Sequence, residues 1–314
     1  MGVLKQTGPD GEDPRNPGAE RRFALGSRCL LGRHPACDLR IDNPRVSGEH
    51  ASLHWIGDRW ELRDLGSRNG TFVDGRRLGA GERTVLAPGA TFTLGGEHAF
   101  LLEDPSPPVA SARHVTRGEL RTATEGLLVL PDDDHPEVSI FENASGQWVA
   151  EEGDETRVVA DRSVVVADGE GWIIDLPSAS GSTSTWEAGA LLPTLESVSL
   201  HFAVSRDEEH IEITVAHAAG AIPLAVRTHH YLLLTLARAV LADETASPAE
   251  RGWVDRELLC RMLGADSRRL NVDVFRVRRQ VAALGIHGAA GIIARRPGTG
   301  QLRLGTARVE VTKL

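Results

Sequence analysis

Between Phe23 and Leu102, apolar residues come in short alternating runs (CLLG, LRID, ASLHW, RWELRDL, TFVDG, TVLA, TFTLG, AFLLE), with Gly, Asp and Asn between them. Runs this short at a period of two bury one face of a strand, and the residues between them favour tight turns, so the pattern predicts an all-β sandwich over residues 21–104. Residues 1–20 hold little to bury and are expected to form a flexible tail. The run DPSPPV at 104–109 closes the sandwich, because proline cannot donate to a sheet and stiffens a linker. Strand-like alternation resumes in GLLVLP, EVSIF, QWVAEE, RVVAD, SVVVAD and GWIIDLP, so residues 105–195 read as a β-rich middle region with linkers. Within it, SASGSTSTW at 178–186 has the composition of a loop.

From residue 196 the pattern changes class. Three candidate strands, SVSLHFAVS, HIEITVAH and AIPLAV, are followed by apolar residues at helical spacing from Thr228 to Ala242, with Thr228 as N-cap. Asp255 caps a second short helix whose apolar face is Leu258, Leu259, Met262 and Leu263, and Gly264 stops it. A third helix runs from near Ser267 to Gly285. Its stripe of Leu270, Val274, Val277, Val281 and Leu284 faces a core and leaves Arg268, Arg269, Arg276 and Arg279, with Asp273, on the remaining face. Two apolar strands joined by PGTG end this α+β segment, 196–314. The chain is therefore expected to be multidomain.

Charge sharpens this division. The net charge of -9 is spread unevenly: residues 1–104 carry 14 basic and 15 acidic side chains, residues 105–221 carry 6 and 21, and residues 222–314 carry 15 and 8. A basic end beside an acidic middle is the asymmetry of a modular protein with one polyanion-facing domain. The charge map alone suggests that the acidic middle competes with a polyanion for the basic end. No stretch approaches the roughly 18 apolar residues of a membrane span, and the N-terminus lacks a signal-peptide core, so a cytoplasmic protein with no membrane partner is expected. Cys29, Cys37 and Cys260 form no CxxC pair, which supports neither a disulfide framework nor a zinc site. Asp132-Asp133-Asp134 with His135 reads as a charged turn. Adjacent His229 and His230 should point apart on a helix, where a metal pair would want i, i+4 spacing. With no GxSxG, HExxH or GxxxxGK[ST] segment, neither an enzyme nor a metal or cofactor is expected.

Three elements on turns between the N-terminal strands carry chemistry: Gly32-Arg33, then Arg45-Val46-Ser47-Gly48-Glu49-His50, then Ser67-Arg68-Asn69-Gly70-Thr71. Together and in this order, over roughly 80 residues, they resemble the forkhead-associated (FHA) domain, a phosphothreonine-binding β-sandwich with the pattern GR, SxxH and NGT. A phosphate presents about two negative charges and three acceptor oxygens, and so needs convergent donors. Arg33 and Arg45 supply charge, Ser47 a short hydroxyl, and Gly48 an amide with no side chain in the way. The resemblance implies that Asn69 holds the peptide backbone beside the phosphothreonine, that Arg68 stands where the family has Ser, Thr or Arg, and that His50 braces the loop from inside. Gly32, His50 and Gly70 are then structural. The implied partners are a phosphothreonine-containing protein and an upstream Ser/Thr protein kinase, because no kinase segment occurs in this chain.

At the other end, WVDRELLCRMLG, LNVDVFRVRRQVAALGI and IIARRPGTGQLRL resemble the positioning helix, recognition helix and wing of the OmpR-type winged helix-turn-helix, over roughly 110 residues. That resemblance implies double-stranded DNA as partner, with base or phosphate contacts from Arg268, Arg269, Asn271, Asp273, Arg276 and Arg279 on the helix and Arg295 and Arg296 beside the wing. Arg276 suits guanine, Asn271 adenine and Asp273 cytosine. The combined expectation is a phosphothreonine-dependent transcription regulator. The alternative is an FHA adaptor whose winged helix docks a protein. No heptad seam is visible, and the oligomeric state is left open.

Overall fold

A computed structural model describes residues 1–7, 12–13, 16–143, 145–177, 193–218, 220–243, 245–286 and 288–314. The chain divides into two compact units, one of residues 1–110 with 175–177, the other of residues 111–174 with those described from Pro193 onward. The SASGSTSTW segment lies outside the described residues.

The first unit is a β-sandwich. One sheet has six strands in the order Arg76–Arg77, Thr71–Val73, Thr91–Leu94, His98–Asp104, Val3–Thr7 and Arg22–Ala24. The other has five, in the order Arg83–Leu86, Arg59–Asp64, Ala51–Ile56, Arg28–Gly32 and Leu39–Arg40. The alternation that predicted the strands from Phe23 onward buries Leu31, Leu53, Leu62, Phe92, Leu94, Phe100 and Leu102 between the sheets, with Trp60. The expected flexible tail over 1–20 is corrected in part. Val3–Thr7 pairs antiparallel with both His98–Asp104 and Arg22–Ala24, and the buried Leu4 and Gln6 face the sheet interior. Two such positions, spaced by a period of two in a run of five, were too short to register as a strand.

The second unit begins with two four-stranded sheets. One orders Leu120–Thr122, Ser111–His114, Glu170–Asp175 and Val164–Ala167; the other is a meander of Leu127–Pro131, Pro136–Glu142, Trp148–Glu152 and Glu155–Val158. A further sheet orders Gly220–Pro223, Ile211–His217, Ser199–Val204 and Val309–Lys313. Its last strand runs parallel to Ser199–Val204, a pairing that sequence alternation did not reveal. Three helices follow, α1 (His230–Ala242), α2 (Arg256–Leu263) and α3 (Ser267–Ala282), then a hairpin of Ile293–Arg296 and Gln301–Leu304 joined by Val254–Asp255.

Several helix expectations need correction. The N-cap of α1 is His229, not Thr228, and α3 ends at Ala282 rather than Gly285. On α2, Asp255 accepts from the amides of Glu257 and Leu258, and Gly264 ends the helix in the left-handed conformation. Only Leu259 of its expected apolar face is buried, while Leu258 and Met262 are exposed. His229 precedes the helix proper, so the rings of His229 and His230 do not point apart. Both Nε2 atoms converge on Gln280 Oε1, at 2.8 and 3.0 Å. The stripe of Leu270, Val274, Val277 and Val281 packs into the core with Leu233, Leu236 and Phe202. The expected division at 195/196 is not a boundary between separate bodies, because the middle meander packs directly against α3.

Candidate functional site

In the first unit the three motif segments meet at the ends of their strands. The Gly32 backbone passes so close to the next loop that a Cβ there would lie 2.1 Å from the Gly48 carbonyl oxygen, so only glycine fits. This approach lets the amides of Arg33 and His34 donate to the carbonyls of Ser47 and Gly48, at 2.9 and 3.0 Å. The Arg33 guanidinium is thereby held beside the Ser47 loop, where its Nε lies 3.4 Å from the Val46 carbonyl.

The third segment is tied to the second. Ser47 Oγ accepts from the Arg68 amide at 3.1 Å, and Asn69 Nδ2 donates to the Arg45 carbonyl at 2.7 Å. The Ser47 hydroxyl hydrogen is therefore left to donate elsewhere. His50 is fully buried. Its Nδ1 accepts from the Ser47 amide at 3.0 Å, which places the ring proton on Nε2, 3.2 Å from the Gly70 carbonyl. Burial pushes its pKa down, against the pull of the Gly70 carbonyl and of Asp64. Gly70 is buried at φ +88°, which L side chains rarely adopt.

Two residues that sequence reasoning missed complete this arrangement. Asp64, at the end of the Arg59–Asp64 strand, is 2% exposed and accepts from the amides of Gly66 and Ser67 and the hydroxyls of Ser67 and Thr71. Burial opposes its charge, but these four bonds outweigh it and hold the carboxyl below its usual range. Glu97 forms an ion pair with Arg45, so the Arg45 charge is already engaged. Gly48 is exposed and a Cβ there would meet no protein atom, so nothing in the fold requires glycine at that position. Arg33, Arg45, Ser47, Gly48, Arg68 and Asn69 are thus gathered on one exposed or half-exposed rim. It offers three guanidinium groups, a hydroxyl and a side-chain amide.

In the second unit the residues expected to contact DNA separate into two groups. Arg268 and Arg276 are exposed and carry no ion pair among the described residues, while Arg269 and Arg279 are about half exposed. Of the other four, Asn271, Asp273 and Arg295 are engaged within the protein, which corrects three assignments. Asn271 does not project toward a base, since its Oδ1 accepts from Arg256 and Arg295, each at 3.1 Å. Asp273 is buried and pairs with Arg269 one helical turn back, at 3.1 Å. Arg295 is not a free phosphate ligand beside the hairpin. Its side chain is 7% exposed, its Nε lies 3.0 Å from Glu151, and burial lowers its pKa to about 10 against the attraction of that carboxylate. Arg296 pairs with Glu250 at 2.9 Å and shares the Trp253 ring with Arg303. Sequence reading also passed over Arg278, which is 1% exposed. It pairs with Glu151 at 2.8 Å, donates to the Ile293 carbonyl and lies over the Phe141 ring.

Among the described residues no helix is long and apolar enough to cross a membrane. No group of three or more His, Cys, Asp or Glu among them is arranged to hold a metal ion.

The FHA domain family model matches residues 29–95. Over 61 residues, 19% of this chain and 42% of the relative, the sequence is 43% identical to an oxoglutarate dehydrogenase inhibitor of Corynebacterium jeikeium. Over 92 residues, 29% of this chain and 56% of the relative, it is 34% identical to the glycogen accumulation regulator GarA of Mycolicibacterium smegmatis. The chain spans about half the length of these curated relatives. Among solved structures, the FHA domain of FhaA, complexed with the intracellular domain of Rv3910, is 25% identical. That alignment covers 32% of this chain and 98% of that one at a TM-score of 0.27.

Proposed function

We propose that this chain, whose residues 29–95 are an FHA domain, is a phosphothreonine-dependent regulator that docks a phosphorylated protein on the Arg33, Arg45, Ser47, Gly48, Arg68 and Asn69 rim. The observation that carries the reading is the position of Ser47. Its oxygen accepts from the Arg68 amide, which leaves its hydroxyl hydrogen to donate to a phosphate on the rim that also carries Arg33 and Arg45. The phosphate is written by a Ser/Thr kinase on another chain. Charge-assisted bonds of ~1.5–3 kcal/mol each, offset by ordering a flexible peptide, set the affinity on the order of micromolar. The test is enrichment from a phosphothreonine peptide library over its unphosphorylated twin, with Arg33→Ala abolishing it. Equal recovery of both libraries overturns the reading.

The output reading is a winged helix over 196–314 that binds double-stranded DNA through α3. Its support is the exposed arginine face of Arg268, Arg276 and Arg279 and the excess of 15 basic over 8 acidic side chains in residues 222–314. Fluorescence anisotropy of the full chain with duplex DNA at two salt concentrations tests it. Binding that weakens steeply with salt and falls in Arg276→Ala supports DNA, because phosphate neutralisation releases counterions. One observation favours the alternative adaptor. Asn271, Asp273 and Arg295 are engaged within the protein, which leaves α3 with phosphate-type contacts and few base-reading groups. The same titration decides: no duplex binding at low salt leaves α3 as a protein-docking face.

A further inference from the structure

Helix α3 has three faces. Leu270, Val274, Val277 and Val281 enter the helical core. A second flank carries Phe275, which packs on Leu127, Val129, Phe141 and Val149 of the middle meander, and Arg278, which reaches Glu151 beside it. The third face is exposed and basic. The meander's acidic turns reach past the apolar contact to the rims of that basic face. Asp133, on the turn before Pro136–Glu142, pairs with Arg279 near the C-terminal end of α3. Asp154, on the turn after Trp148–Glu152, pairs with Arg256 at the start of α2, whose other nitrogen is bound to Ser267 and Asn271 at the N-terminal end of α3. The neighbouring Gly153 carbonyl accepts from Arg295. Two carboxylates thus sit on arginines at opposite ends of α3. That 16-residue helix is about 24 Å long at ~1.5 Å per residue.

The two kinds of acid differ in what they do. Glu151 is 6% exposed and shared by the buried Arg278 and Arg295, so it belongs to the packing of the unit. Asp133 and Asp154 are more than half exposed, Asp133 on the half-exposed Arg279 and Asp154 on the buried Arg256. The Asp133–Arg279 pair, about half exposed on both sides, adds little to stability, whereas Asp154 covers an arginine that is 10% exposed. Both carboxylates cancel positive charge where α3 would meet a phosphate backbone.

We propose that the meander's two acidic turns are an internal competitor for polyanion, seating Asp133 on Arg279 and holding the Asp154 carboxylate at the opposite end of α3, where duplex phosphates would otherwise bind. The inference rests on the DNA reading of α3. It commits the surface to the phosphate backbone of double-stranded DNA and makes the acidic middle a device that keeps affinity low until those turns are drawn off.

The test uses the full chain, a labelled 20-base-pair mixed-sequence duplex and anisotropy over a salt series. Asp133→Asn with Asp154→Asn is compared with wild type and with Glu212→Gln plus Glu310→Gln. The control removes the same charge from carboxylates that pair with His210 and His201 instead. The expected result is at least fivefold tighter binding for the rim variant alone. Its log affinity against log salt should be steeper by up to about 0.9 for the freed Arg279, and Arg279→Ala should reverse part of the gain. If the double variant fails to fold, Asp133→Asn alone gives the same readout for one arginine. Wild type and rim variant binding equally overturns the competitor while leaving the DNA reading intact. An equal gain in the control overturns it in favour of net charge. No duplex binding by any of them at the lowest salt overturns the DNA reading, and the competitor with it.

Discussion

Glu97 holds a guanidinium that the proposed phosphate needs, and both partners of the pair are about half exposed. Exposed pairs are worth about 0–1 kcal/mol, so releasing Arg45 by Glu97→Gln should tighten phosphopeptide binding about two- to fivefold by calorimetry. An unchanged affinity would show that Arg45 meets phosphate without leaving Glu97, or does not meet it at all. The two loop glycines give a sharper contrast. Gly32→Ala must displace the Gly48 carbonyl, because its Cβ would lie 2.1 Å from that backbone oxygen. It should cost about 1–3 kcal/mol of stability as well as binding. Gly48→Ala meets no protein atom and should leave the melting temperature within a degree or two while weakening phosphopeptide binding. Equal behaviour of the two variants would mean that neither glycine is kept for the ligand. The rim residues were legible in the sequence because Gly-Arg, Ser-x-x-His and Asn-Gly-Thr stand in order on loops between strands and together carry the FHA resemblance. Asp64 and Glu97 were not. A carboxylate that collects four bonds at a strand end looks in sequence like any other Asp, and the Arg45 partner is 52 residues away.

Helix α3 shows how far periodicity reads and where it stops. The 4-3-4-3 spacing identifies the face that enters the core. It is silent on a second contact face, because Phe275 and Arg278 lie outside that stripe and a lone arginine reads as solvated. The structure buries Arg278 instead, under Phe141 and against Glu151. The same blindness affected α2, whose Leu258 and Met262 satisfy an apolar pattern and yet face solvent. Arg278→Ala would strip a charged partner from buried Glu151 and free the Ile293 carbonyl, leaving Arg295 as the remaining cation. Breaking a buried pair from one side costs about 3–5 kcal/mol, and urea unfolding of the variant should lose that much. A loss under 1 kcal/mol would mean that Arg295 alone satisfies Glu151 and that the meander's hold on α3 is apolar.

Across the whole molecule, acid sensitivity follows from buried imidazoles in both units. His50 beneath the Ser47 loop and His229 and His230 beside Gln280 all have pKa values lowered, with burial as the largest cause. In the unfolded chain these rings protonate at about pH 6.5. As pH falls through that value the unfolded state takes up protons before the folded state does, and stability is lost. Asp64 adds nothing in this window, because its depressed carboxyl matters only below the ordinary aspartate range near pH 3.8. Stability should therefore be full above about pH 7 and decline steadily toward pH 5, with the urea midpoint as the readout. The loss should be felt first at the rim: a second proton on His50 would set an N–H against the Ser47 amide it now accepts from, loosening the loop that carries the phosphate donors. Phosphopeptide titration must separate this from protonation of the phosphate itself, whose second pKa is about 6. A non-titrating phosphate mimic such as a sulfated threonine peptide does so, because a weakening between pH 7 and pH 5 that persists with the mimic belongs to the protein. A mimic that binds equally at both pH values would show that His50 stays neutral throughout and that the acid sensitivity lies with His229 and His230 in the second unit.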